Sequence, residues 1–284
     1  MRNNDCVTEL PEDVFRNISF QFITLFDVSN LRIIHRTAIL SSKHRLNKMW
    51  IINSAIDDFP WVILPELTDL KELHLNGNFL TVLPTLSSDT LVYLSLQRNR
   101  ISTLELEWNI PNLEVLDLDE NPIGDFPTGF FVSFEKLNTF DCASCDLGPT
   151  LRSGSLEFQT QALKSLFLIA NNISTVEPGA ITGVTNKTNV YLRDNLIAKL
   201  TEETFRPILE VVSRGDGKLY LENNPVVCGC RMEWYALNSD FNEKLLGNCT
   251  DGTDFESLTA NFFRDCLFLV AATPPSSSSF QKRF

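Results

Sequence analysis

Apolar positions in this chain recur in short bursts and not in one continuous helical or strand rhythm. LKELHLNGNFL begins at Leu70, LVYLSLQRNRI at Leu91, LEVLDLDENPI at Leu113, LNTFDCASCDL at Leu137 and LKSLFLIANNI at Leu163. Weaker copies are KTNVYLRDNLI at Lys187 and DGKLYLENNPV at Asp216, and a degenerate one, LNKMWIINSAI, begins at Leu46. The ninth position of these copies runs Asn78, Asn99, Asn121, Cys145, Asn171, Asn195 and Asn224, at spacings of 21 to 29 residues. A period of that size predicts a solenoid in which each copy is one structural unit.

The pattern L-x-x-L-x-L-x-x-N-x-L is that of the leucine-rich repeat. It predicts an α/β repeat fold, a horseshoe with a curved parallel sheet on its concave face. Side chains alternate along a strand, so the two apolar residues of each L-x-L point the same way. Stacked copies then merge them into one core. The ninth-position amide both donates and accepts, and so can satisfy backbone groups that the following turn exposes. Cysteine fits the same place. Cys145 reads as a substitute for Asn and Cys142 as an inward apolar residue, both as buried free thiols, with a redox or metal role as the alternative.

Between strands, LTVLP, ISTL, IGDFPTGFF, ISTVEPGAI and IAKLTEETF carry the chain back along the convex side. Phe131, Phe134 and Phe205 are expected to fill that half of the core as stacked rings. Glu203–Val212 has helical spacing, with Pro207 near its start or kinking it. The chain divides into a degenerate N-terminal solenoid segment (1–45, where no strands are assigned), leucine-rich repeats (46–224), a cysteine-rich C-terminal cap (225–266) and a Pro/Ser-rich disordered tail (267–284).

With 24 basic and 36 acidic residues, the net charge of −12 argues against a nucleic-acid partner bound through phosphates. No apolar run reaches the ~20 residues of a membrane-spanning helix. His35, His44 and His74 have no metal-ligand spacing, and nucleophile-elbow, phosphate-loop and zincin motifs are absent, so no enzyme activity, metal or cofactor is expected. His74 reads as a surface histidine.

What the repeat does present is a face. The residue between each strand's two apolar positions forms one outward column: Trp50, His74, Ser95, Asp117, Asp141, Phe167, Tyr191, Tyr220. Two residues on, a flanking column reads Ile52, Asn76, Gln97, Asp119, Ala143, Ile169, Arg193, Glu222. Trp50, Phe167, Ile169, Tyr191 and Tyr220 are the candidate partner-binding residues, because contiguous exposed aromatics mark interaction sites. Asp117, Asp119 and Asp141 give the middle an acidic character: a solvated cluster, a basic partner's contact, or two ligands (Asp117, Asp119) of a weak calcium site.

Seven cysteines, four of them crowded from Cys228 to Cys266, and N-x-[ST] acceptors at Asn17, Asn172, Asn186 and Asn248 point to a disulfide-bonded, glycosylated, secreted protein. The first residues, MRNNDCVTELPEDVF, lack the apolar core of a signal peptide. Together with the secretory features this suggests a chain shortened at its start. Cys6 is left odd.

NNPVVCGCRMEWYALN, followed by Cys249 and Cys266, resembles the C-terminal cap of extracellular leucine-rich-repeat proteins. That resemblance implies the pairs Cys228–Cys249 and Cys230–Cys266, with a short helix carrying Trp234 across the open end. IINSAIDDFPW, LGPTLRSGSLEF, TEETFRPILEVV, CGCRMEWYALNSDF and CTDGTDFESLTANFFRDC narrow it further. From about Val14 to Cys266 the chain resembles crustacean secreted leucine-rich-repeat proteins similar to the non-catalytic subunit of Oplophorus-luciferin 2-monooxygenase. This implies a secreted chain that does no chemistry and binds a protein partner, such as a small catalytic subunit that oxidises an imidazopyrazinone luciferin. The alternative is the ectodomain of a leucine-rich-repeat adhesion or recognition receptor.

Overall fold

The computed structural model describes residues 1–264 and 266, so the tail expected at 267–284 lies outside the described residues. Ten strands form one sheet in chain order: β1 (Phe22–Phe26), β2 (Lys48–Ile52), β3 (Glu72–His74), β4 (Tyr93–Ser95), β5 (Val115–Asp117), β6 (Thr139–Asp141), β7 (Ser165–Phe167), β8 (Asn189–Tyr191), β9 (Lys218–Tyr220) and β10 (Leu245–Leu246). All neighbours are parallel, and the register aligns the inward residues Leu73, Leu94, Leu116, Phe140, Leu166, Val190 and Leu219 rung by rung. Each of them is fully buried. The leucine period therefore does what it predicts, giving a solenoid with a single core along its length.

The ninth-position Asn residues stitch one turn to the next. Asn99 Nδ2 donates to the Leu75 and Leu96 carbonyls at 2.9 and 2.8 Å, and its Oδ1 accepts from the Leu80 amide at 3.1 Å. Asn121, Asn195 and Asn224 repeat the arrangement. These backbone groups are buried, and the side-chain amides of the column satisfy them, the Leu75 and Leu96 carbonyls each accepting from two successive Asn residues.

At Cys145 the structure corrects the expectation of free thiols: Cys142 and Cys145 form a disulfide, with Cα atoms 5.4 Å apart. At Asn78, Asn99, Asn121, Asn195 and Asn224 the ninth-position amide reaches the carbonyl of the sixth residue, so these positions are already neighbours. Two cysteines placed there replace that hydrogen bond by a covalent tie.

Residues 1–45 hold more order than their sequence discloses. β1 pairs with β2 over five rungs, Phe22↔Lys48 to Phe26↔Ile52. Helix α1 (Arg36–Leu40) follows, and Glu9–Leu10 pairs with Ile33–Ile34. The register is hidden in the sequence because the ninth position holds buried Val28 here and buried Ser54 in the next turn.

The convex side is filled by phenylalanines. Phe131, Phe134 and Phe205 are buried, and Phe131 meets Phe126, Phe130, Phe134, Phe140 and Phe158 at centroid distances of 4.6 to 6.1 Å. These contacts are tilted or edge-on and not stacked, as the ring quadrupole favours. Helix α2 (Glu202–Val212) contains Pro207 within it and buries Phe205, Ile208, Leu209 and Val212. Helix α3 (Glu233–Ala236) carries Trp234 and Tyr235 into the core of the C-terminal unit, with Phe241 and Phe255. Cys228–Cys249 and Cys230–Cys266 are bonded there, and Cys6 is free and exposed.

Candidate functional site

The concave sheet face has three zones along the solenoid. Toward the C-terminal end, Phe167, Tyr191 and Tyr220 are in register on β7, β8 and β9. Their rings stack at 4.6 Å and 4.5 Å, with interplanar angles of 6° and 16°. Parallel strands about 4.8 Å apart hold successive rings at van der Waals spacing, so the backbone itself orders the ladder. Arg193 lies 4.7 Å from the Tyr220 ring centroid and ion-pairs with Glu222 at 2.9 Å. Ile169 flanks the ladder, half-buried. Burial, and then Tyr220 beside it, raise the Tyr191 pKa above the ordinary phenol value.

Toward the N-terminal end the structure joins Trp50 and His74 of the outward column to Phe26 and Tyr93, which the sequence does not single out, in a second aromatic bank. Trp50 meets His74 edge-on at 5.1 Å, His74 stacks on Tyr93 at 4.8 Å, and Phe26 meets Trp50 at 6.3 Å. Tyr93 and Phe26 sit two residues to either side of the central column. The same period of two that defines the column places them on this face, and that was the available signal. His74 is not the surface histidine expected. It is half-buried between aromatic rings, and desolvation lowers its pKa despite the pull of Glu72 and Asp117.

Between the banks lie the aspartates. Asp117 is only 9% exposed and accepts from Ser95 Oγ at 2.7 Å and Gln97 Nε2 at 3.1 Å through one oxygen, and from the Asp119 amide at 3.2 Å through the other. Ser95, placed in the outward column by sequence, is buried beneath this carboxylate. Asp141 accepts from the Ala143 amide at 3.0 Å. Burial pushes Asp141 up to about 6, with Asp117 and Asp119 adding to the rise, and burial likewise raises Asp119. The cluster is thus partly desolvated and not a freely solvated patch. Both oxygens of Asp117 are taken by N–H and O–H donors, and no group of three or more His, Cys, Asp or Glu among the described residues is disposed to hold a metal.

The Asp141 shift makes a pH prediction. Its native pKa lies above that of an unfolded aspartate, so the native state holds the proton more tightly. The stability it contributes is greatest below about pH 4 and is lost as pH rises through about 6. Asp141→Asn should therefore gain on the wild type between pH 4 and pH 7, by about 1 kcal/mol after solvent screening, or roughly 2–4 °C in Tm. Calorimetric scans at unit pH steps measure this, and a pH-independent difference would refute it.

A second concavity, of about 940 Å³, lies between α2 and α3, lined by Thr201, Arg206, Val227, Met232, Trp234 and Leu237 among others. The sequon residues Asn17, Asn172, Asn186 and Asn248 are all exposed, and none lies on a strand of the concave sheet.

The family model described as "Leucine Rich repeats (2 copies)" matches residues 89–130. With the ten-stranded parallel sheet and the bonded C-terminal unit, this settles the architecture. The chain is a leucine-rich-repeat solenoid with a disulfide-bonded cap. It is 27% identical over 263 residues to the non-catalytic subunit of Oplophorus-luciferin 2-monooxygenase from Oplophorus gracilirostris, covering 90% of this solenoid and 71% of that protein. It is 26% identical over 164 residues to Toll-like receptor 7 of Drosophila melanogaster, covering 56% of this chain and 10% of the receptor. Among solved structures, the solenoid superposes on the TLR13–ssRNA13 complex with a TM-score of 0.61 at 21% identity, over 78% of this chain and 31% of that one. It superposes on the Toll–Spatzle complex with a TM-score of 0.55 at 17% identity, over 86% and 38%. The solenoid thus spans most of the luciferase subunit's length, about a third of the two solved chains and a tenth of Toll-like receptor 7. No helix among the described residues is long and apolar enough to cross a membrane.

Proposed function

We propose that this chain is a secreted, non-catalytic leucine-rich-repeat subunit that holds a protein partner on its concave face. The ordered Phe167–Tyr191–Tyr220 ladder carries the reading: three half-buried rings side by side on an open sheet face supply apolar area at little cost in side-chain entropy. The likeness to a named non-catalytic subunit over most of both chains supports it, and the partner in that reading is a separate catalytic chain. Three disulfides favour an oxidising compartment, and the four exposed sequons suit a glycoprotein whose sugars leave the concave sheet uncovered. The partial likeness to Toll-like receptor 7 favours a second reading, the ectodomain of a recognition receptor.

The test begins with co-purification of the native protein from its secretion and identification of the bound chain. Binding of that purified chain is then measured by calorimetry. Tyr191→Ala with Tyr220→Ala should weaken binding by about 1–4 kcal/mol while leaving the circular dichroism spectrum intact. Unchanged affinity would remove the ladder from the interface. Recovery of the protein only in a membrane fraction would favour the receptor reading.

A further inference from the structure

The charges of the concave face are not evenly satisfied. Lys48 pairs with Glu72 at 2.8 Å near one end, and Arg193 with Glu222 at 2.9 Å near the other. Asp117, Asp119 and Asp141, between them, take no part in any ion pair among the described residues. Carboxylates drawn out of water without a countercharge cost free energy that a solvated surface would not incur. Burial has already moved Asp119 and Asp141 toward their protonated forms, the response expected of such groups.

Aromatic banks flank this uncompensated stretch on both sides, Trp50–His74–Tyr93 before it and Phe167–Tyr191–Tyr220 after it. Arg193, seated over Tyr220, shows that rings of this face accept a guanidinium. Eight strands separate Trp50 from Tyr220 inclusively, a span of roughly 34 Å at about 4.8 Å per strand, which an extended segment of about ten residues covers.

Resting on the subunit reading above, we propose that the partner lays an extended, arginine-rich segment along this column. Its cations meet Asp117, Asp119 and Asp141, and its flanking residues rest on the two aromatic banks. Charge complementarity selects this occupant: the face offers unpaired negative charge at its centre and rings that tolerate or bind cations around it. An acidic segment would meet three carboxylates, and a purely apolar one would bury them unpaired.

Fluorescence anisotropy on the full chain tests this with labelled nona-arginine, nona-glutamate and a Gly/Ser nonapeptide. Only nona-arginine is expected to bind. The variant Asp117→Asn/Asp119→Asn/Asp141→Asn should weaken it about tenfold or more, and added salt should weaken the wild type further. A charge-matched control, Glu135→Gln/Glu157→Gln/Glu203→Gln, removes three exposed carboxylates away from the concave sheet and should change affinity less than about twofold. Equal weakening by both triples would mean a general attraction to a chain of net charge −12 and would overturn the proposal. Absence of nona-arginine binding would do the same.

Should the aspartate triple fail to fold, Asp119→Asn alone, at a half-buried position, is expected to weaken binding about two- to fivefold with a melting temperature no lower than that of the wild type. No effect from that folded variant overturns the proposal. If the Tyr191/Tyr220 variant loses the native partner and the aspartate variants do not, the arginine segment is wrong and the subunit reading stands. If neither loses it, both fall.

Discussion

Phe131→Ala is expected to lower stability by about 3–5 kcal/mol, the largest loss from any single side chain considered. Phe131 is 2% exposed and touches five other phenylalanine rings. These rings come from one convex return (Phe126, Phe130, Phe134), from strand β6 (Phe140) and from the next return (Phe158), so one side chain joins neighbouring turns. Removing it leaves a void that six-membered rings, already fixed by each other, cannot collapse to fill. In a solenoid each turn leans only on its neighbours, so the damage is expected to separate the array near Phe131. Urea unfolding of wild type and variant measures the loss, and hydrogen exchange locates it. Phe131→Leu should recover most of it. A loss below about 1 kcal/mol in the alanine variant would show that the ring cluster is loosely packed.

Asn121→Ala is expected to cost about 2–4 kcal/mol for a different reason. No large volume is lost. Asn121 Oδ1 accepts from the Ile101 amide at 3.0 Å, and its Nδ2 donates to the Leu96 and Leu118 carbonyls at 3.0 and 2.9 Å, in surroundings where the side chain is 1% exposed. Alanine leaves the Ile101 amide and the Leu118 carbonyl unpaired and dry, while the Leu96 carbonyl keeps the Asn99 amide as its partner, and each buried orphan costs about 1–3 kcal/mol. Thermal unfolding gives the size of the effect, and accelerated exchange of the Ile101 amide identifies its cause. Asn121→Ala with wild-type stability and protection would mean that water replaces the amide, contrary to the account given for the whole Asn column.

The repeat, and with it the fold, was legible because a solenoid is a one-dimensional object. Each leucine at position four or six meets the same position of the next turn, so the long-range contacts of the core repeat a local pattern. The first turn escaped because Val28 and Ser54 occupy the place where Asn gives the register. The Phe167–Tyr191–Tyr220 column followed from the period of two, whereas Phe26 and Tyr93 required taking all three outward positions of each strand. The cysteines divide in the same manner. The C-terminal four announce themselves by spacing and by resemblance, while Cys142 and Cys145 look like ordinary repeat positions. Their bond follows from how the chain bends between the strand and the turn.

By itself, then, the order of residues determined the coil, its inward leucines, its amide stitching and the face it leaves open, since all of these depend on which way a side chain points along a strand. Tertiary structure alone decided the environment of the charges. Asp117 and Asp141 are paired in register on adjacent strands with Ser95 tucked under the first, and that crowding removes water from carboxylates that a sequence shows only as three acids. Solvation is a property of everything that surrounds a group in three dimensions, and no spacing along the chain encodes it directly.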